Sequence, residues 1–355
     1  MRSSVEAGTA EPQAVVTPAT ATPPPSSDEA RRRSEKELII ATKAFTAESK
    51  AKGWAYTLST FAILAALTAG TVVATTWWLK LAFSVVEGLT IVRAFCLFHD
   101  FYHGAILRQS KLADAIFSLF GFTILVPASV WTETHDYHHA HTAKMVGSHI
   151  GSYPVVTSAM WKEMTPGQRF LYRAARHPLN ILFSVVTIFA VGMCLQPFLR
   201  APKKHWGGPV SLAVVTALTY GLISTGHLTE WVYGWLIPVS LATTAGSYLF
   251  YAQHNFPDAY IADRQSWSYA EAALRSSSYF MMPGFMHWFT ANIGYHHVHH
   301  LNAAIPFYRL PEAMGAMPEF KNPGVVTWSP KSIVANFRLK VWDAQKAQMV
   351  EEYPT

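Results

Sequence analysis

Residues 292–300 read NIGYHHVHH, and within them His296, His299 and His300 form an HxxHH cluster. On a helix, offsets of three and four residues bring side chains onto one face. Neutral imidazole is the commonest side-chain ligand for transition metals, so such a face is half of a metal site. The spacing recurs in HDYHHAHT as His135, His138 and His139, and HDFYH places His99 and His103 one helical turn apart. Eight histidines therefore stand at ligand spacing in a chain that is 50% hydrophobic. A single HxxHH is compatible with a polar patch beside a membrane, whereas three ordered boxes point to one shared metal site.

The surrounding composition says where that site sits. Only 14% of the 355 residues are charged, 14% are aromatic and the mean hydropathy is positive, unlike a soluble enzyme of this size. Long apolar runs predict an all-α polytopic membrane protein. The net charge of +6 comes from basic residues beside those runs, which fits membrane orientation and not nucleic-acid binding. Cys96 and Cys194 both lie in apolar runs, so neither a disulfide framework nor a cysteine-held cluster is encoded. No charged-start, apolar-middle signal peptide is expected ahead of the first apolar run.

In chain order, residues 1–36 are rich in Pro, Ala, Thr and Ser and read as a disordered tail, followed by one membrane domain over 37–350 and a short tail at 351–355. Crossings are expected at about 54–75, 78–98, 210–225 and 231–250, as two hairpins. Lys50 and Lys52 put the starting side in the cytoplasm, and Trp77 and Trp78 anchor the far interface. Residues 113–131 are apolar enough to cross, but a crossing would put His99 and His103 about 30 Å from His135–His139. They are therefore expected to dip in and return. Residues 178–199, with Arg173 and Arg176 before and Arg200, Lys203 and Lys204 after, are read the same way. Both termini and all three boxes then share the cytoplasmic face. A helical cap is expected over 251–350, with SYAEAALRSSSYF as a helix and RLKVWDAQKAQMV (338–350) as an amphipathic one. Glu87, inside the second span, is expected to pair with Arg93.

HxxxH, HxxHH and HxxHH in this order around two apolar hairpins resemble the integral-membrane fatty acid desaturases. YAQHNFPDAY, YAEAAL, SSSYF, WFTANIGYHHVHHLNAAIPFYRL and the VWD tail are similar to the acyl-lipid delta-12, or omega-6, branch. The likeness covers roughly residues 50–350. The first box, HDFYHGAIL, departs from that branch, which has Cys or a small residue after HD.

The resemblance implies a di-iron centre, with dioxygen as co-substrate, held by His99, His103, His135, His138, His139, His296, His299 and His300. It adds His254 as a ninth ligand and a water-mediated contact from Asn292. Asn292, four residues before His296, shares its face if the helix is continuous. Asp100 and Asp136, each beside a box histidine, are candidates to hold imidazole N–H groups. His141 and His297 are read as supporting residues near the ligands, and His149, His177, His205, His227 and His287 as ordinary loop or interface histidines. The implied reaction is O2-dependent desaturation of a fatty acyl chain, lipid-linked, giving a cis double bond. Electrons would come from a separate donor, ferredoxin-like or cytochrome b5, because neither HPGG nor cluster cysteines are present. A hydroxylase, epoxygenase or ketolase on the same scaffold is the runner-up. A metal transporter fits three ordered boxes poorly, and a zinc hydrolase needs only about three protein ligands.

Overall fold

Tryptophan and threonine residues at 75–78 break the first long apolar run into a helical hairpin. In a computed structural model, which describes residues 33–145, 150–263 and 265–354, this becomes α2 (Lys50–Val73) and α3 (Trp77–Tyr102), preceded by a short α1 (Glu35–Thr42). The expected tail lies almost wholly outside the described residues, as does His149. Glu35 is already helical, however, and accepts a hydrogen bond from the Ala270 amide (3.1 Å). Ser49 caps α2 by accepting from the Lys52 amide. Two glycines allow close helix packing: a methyl group at Gly70 would meet the Phe83 ring at 2.9 Å, and one at Gly88 would meet the Pro238 carbonyl at 2.9 Å.

α4 (Lys111–Thr123) and α5 (Ala128–His141) are bent by 94° at a short break. Leu125 takes a positive φ of 62° there and Pro127 starts the new helix. After α6 (Ser158–Glu163), α7 (Pro166–Ala175) and α8 (Pro178–Leu182), the apolar 178–199 stretch continues as a π-helical segment, Val185–Leu195, into α9 (Gln196–Arg200). α10 (Gly207–Ser224) follows. The last expected crossing is not one α-helix: it runs as α11 (Leu228–Trp231), a π-helical turn Val232–Leu236, and α12 (Ile237–His254). Among the described residues three helices, α2, α3 and α10, are long and apolar enough to cross a membrane, and the bent pair makes up to four. The protein is mostly helical and of membrane type.

Glu87 does not pair with Arg93. It accepts from the Thr68 hydroxyl (2.5 Å), whereas Arg93 bonds Thr60 Oγ1 (3.0 Å) and the Trp288 carbonyl. Six residues along a helix turn by 600°, which leaves the two side chains on different faces.

The segment after α12 is less helical than expected. Helix α13 covers only Tyr269–Arg275, and Tyr279–Met281 is strand β1, parallel to β2 (Val325–Thr327). α14 (Gly284–Phe289), α15 (His296–Leu301), α16 (Leu310–Ala316) and α17 (Pro330–Arg338) complete the helices. The expected amphipathic helix over 338–350 is instead an antiparallel hairpin, β3 (Val341–Asp343) with β4 (Gln348–Val350). Val341 packs on Trp161 and Tyr172, while its neighbour Trp342 packs on Leu339 and Met349. Adjacent residues buried on opposite sides require a strand. Asp343 accepts from the amides of Gln345 and Lys346 to make the turn, and Ala347 takes φ 49°. The short C-terminal tail is packed too, with Tyr353 stacked on Trp161 at 4.1 Å.

Candidate metal centre

Four elements deliver histidines to one buried region: the end of α3, α5, the end of α12, and α15. The imidazoles fall into two groups. His99, His103, His135, His139 and His299 form one, and His138, His254, His296 and His300 the other; within each, one nitrogen per residue lies within 4.8 Å of all the rest. In the smaller group, Nε2 of His254 is 3.0 Å from that of His138 and 2.9 Å from that of His296, and His300 is 3.1 Å from His296. In the larger, His139 Nε2 is 3.1 Å from both His135 and His299. The rings of His139 and His300, one from each group, stack at 4.1 Å.

The two HxxHH boxes divide reciprocally. On α5 the i, i+4 pair His135 and His139 enters the larger group and His138 the smaller. On α15 the i, i+4 pair His296 and His300 enters the smaller group and His299 the larger. The third histidine of each box sits about 60° round the helix from the first of the pair and about 100° from the second, so one turn of helix faces two sites at once. His99 and His103 complete one group; His254 alone completes the other.

The donor set fits a cation in each group. At about 2.1 Å from a first-row metal, nitrogens at right angles are about 3 Å apart, close to the separations seen here. Burial, reinforced by neighbouring imidazoles, holds His296, His299 and His300 well below the ordinary histidine range, and burial takes His103 down to about 4. These side chains are therefore neutral at physiological pH, the form that binds metal.

The residues around the ligands are sorted by what packs on them. Asp100 Oδ1 stands 3.2 Å from His99 Nδ1, and its Oδ2 accepts from the Phe307 amide at 2.7 Å. Asp136 is exposed and makes no hydrogen bond to an imidazole among the described residues, because that side of α5 faces outward. Asn292 is not on a helix continuous with His296: its φ is 57°, α15 starts at His296, and its amide donates to the Phe307 carbonyl (3.1 Å). His141 stacks on Tyr137 at 3.9 Å and bonds its carbonyl, and His297 Nε2 donates to the Phe320 carbonyl (3.2 Å); neither joins a group. His205 pairs with Glu133, His227 with Glu230, and His177 caps α8. Sequence reasoning missed three supports. The Ser276 carbonyl accepts from His254 Nδ1 (2.9 Å), Thr142 Oγ1 lies 3.4 Å from His300 Nδ1, and Trp131 stacks on His135 at 4.4 Å. Trp131 and Thr142 carried a signal, each four residues from a box histidine on the same helical face, His135 and His138 respectively; Ser276 carried none.

The ends of α3 and α12, together with α5 and α15, gather nine imidazoles into two adjacent groups that could each hold a metal ion, in a helical protein of membrane type. The sequence profile described as Fatty acid desaturase matches residues 75–331, and the chain belongs to that family. It is 29% identical to a fatty acid desaturase of Bacillus subtilis, over 77% of each chain. It is 27% identical to an sn-1 oleoyl-lipid 12-desaturase of Synechocystis, over 78% of this chain and 79% of that one, and 26% identical to an sn-1 acyl-lipid omega-3 desaturase (ferredoxin) of Nostoc, over 68% of each. The chain is accordingly an oxidoreductase that desaturates fatty acyl chains.

Proposed function

We propose that the chain introduces a cis double bond into a lipid-linked acyl chain, using dioxygen and two irons held by the nine histidines. The observation that carries this reading is the reciprocal division of the two HxxHH boxes between adjacent groups. A mononuclear site leaves most of these imidazoles unused. When bound, the irons supply the oxidant needed to break unactivated C–H bonds. The protein's part is to hold the imidazoles neutral and aimed: Asp100 orients His99 and ties it to the Phe307 segment, and Ser276 fixes His254 with Nε2 inward. Electrons come from a separate carrier; the Nostoc relative is named for ferredoxin, and an equivalent small carrier, or cytochrome b5 in a eukaryotic host, serves here. Lipid analysis after expression in a host without polyunsaturated lipids tests the reading. New dienoic acyl chains in intact lipids are expected, and a hydroxylated or epoxidised product would replace this reading with the runner-up.

Four crossings are proposed, 54–75, 78–98, 210–225 and 231–250, with both termini, the boxes and the 251–350 cap on the cytoplasmic side. The 94° bend between α4 and α5 supports re-entry, as does the 4.9 Å ring separation of His99 and His135, because a crossing between them would separate them by about 30 Å. Single cysteines placed at 106–112 and 203–206 are expected to react only with reagent given from the cytoplasmic side. Reaction from outside at either stretch would refute this arrangement.

A further inference from the structure

Arg176, at the C-terminal end of α7, is 5% exposed. Its guanidinium donates to the carbonyls of Pro154 (3.0 Å) and Leu339 (3.1 Å), to the Tyr251 hydroxyl (3.4 Å) and to Asn255 Oδ1. Every one of these acceptors is neutral. Nε is buried without a partner, and among the described residues no carboxylate forms a salt bridge with this cation. A buried charge without a counter-ion is expensive, so its presence asks for a guest.

The guest has a place. Arg176 lines a pocket of about 40 Å³ that also touches His138 and His254 of the four-histidine group. Of its lining residues, Ser152, Tyr153, Val155 and His254 are half-buried, while Arg176 and His138 are buried. None of the five histidines of the other group lines it. That volume holds about one or two waters or a small anion, and no part of an acyl chain beyond a few carbons.

The proposed reaction has a use for such an opening. Dioxygen, two electrons, two protons and the two hydrogens taken from the acyl chain give two waters and one double bond. With hydrocarbon filling the substrate side, water needs another way out. We propose that this pocket is the port through which water and small anions exchange with the four-histidine group, with Arg176 as the wall that favours electron-rich guests. The proposal rests on the di-iron reading above.

Azide is the probe, added to the purified, iron-loaded chain and followed by absorption and Mössbauer spectroscopy. Azide is expected to perturb one of the two irons and leave the other unchanged. Val155→Trp, which fills part of the pocket, is expected to slow azide binding by about tenfold at unchanged iron content. Arg176→Met is expected to weaken azide binding by about tenfold, with Arg176→Lys recovering part of it. Wild-type rate and affinity in Val155→Trp, or equal perturbation of both irons, would overturn the port. Should Arg176→Met lose its fold, Val155→Trp alone decides. A wild-type chain that binds no iron overturns the metal reading, and the port with it, before azide is added.

Discussion

Replacing His299 with alanine is expected to abolish desaturation while the chain still inserts into the membrane. His299 is fully buried, and its Nε2 lies 3.1 Å from that of His139, with the rings of His99 and His103 at 4.4 and 5.0 Å. It is the only member of the five-histidine group contributed by α15. Losing a group that merely orients a metal ligand costs about 10–100-fold, so losing the ligand itself should exceed the upper end of that range. Four imidazoles remain, and iron content should therefore fall less than activity does. Activity assays and iron analysis on the same membranes make the comparison. A His299→Ala enzyme with near-normal turnover would sink the shared-site reading, whatever its iron content.

His254→Gln should behave differently, losing iron and activity together. His254 stands outside every box, yet its Nε2 is 3.0 Å from His138 and 2.9 Å from His296, and its Nδ1 is committed to the Ser276 carbonyl. Its group has four imidazoles, so the variant leaves three. Glutamine offers an amide oxygen or nitrogen, both weaker ligands for iron than imidazole. Iron should drop from two per chain towards one, with activity down by more than about 100-fold. His227→Gln, an exposed histidine beside Glu230, is the control and should leave both values near wild type. Full iron loading with normal turnover in His254→Gln would return the residue to a simple helix-end role.

Eight histidines could be read from the chain because ligand chemistry and helical period leave the same mark, imidazoles three and four residues apart; His254 stands alone and came only with the family likeness. The partition between two groups left no such mark. It depends on α5 and α15 facing each other across both sites, a property of packing. Asp100 and Asp136 show the same limit at one residue's scale. Both follow a box histidine directly, but only Asp100 meets another segment, the Phe307 backbone. The 338–350 hairpin was misread because Val341, Trp342 and Met349 satisfy a loose helical pattern, and the decisive burial on both sides of the strand comes from residues far away, among them Trp161 and Tyr172. Ser276 supports His254 through its carbonyl, which every residue carries, so no sequence pattern can report it.

The distance along the chain between α5 and α15 sets an order of assembly. His139 and His299 meet across 160 residues, and His138 and His300 across 162. A nascent chain reaching only Gly294 has four of the five members of one group and only His138 and His254 of the other. Because synthesis runs from the N-terminus and early segments settle first, the apolar helices are made before the last box has been translated. On the di-iron reading, the iron sites close only in a chain whose apolar helices are already made, and the final sixty residues act as the closing half of a mould whose first half is cast earlier.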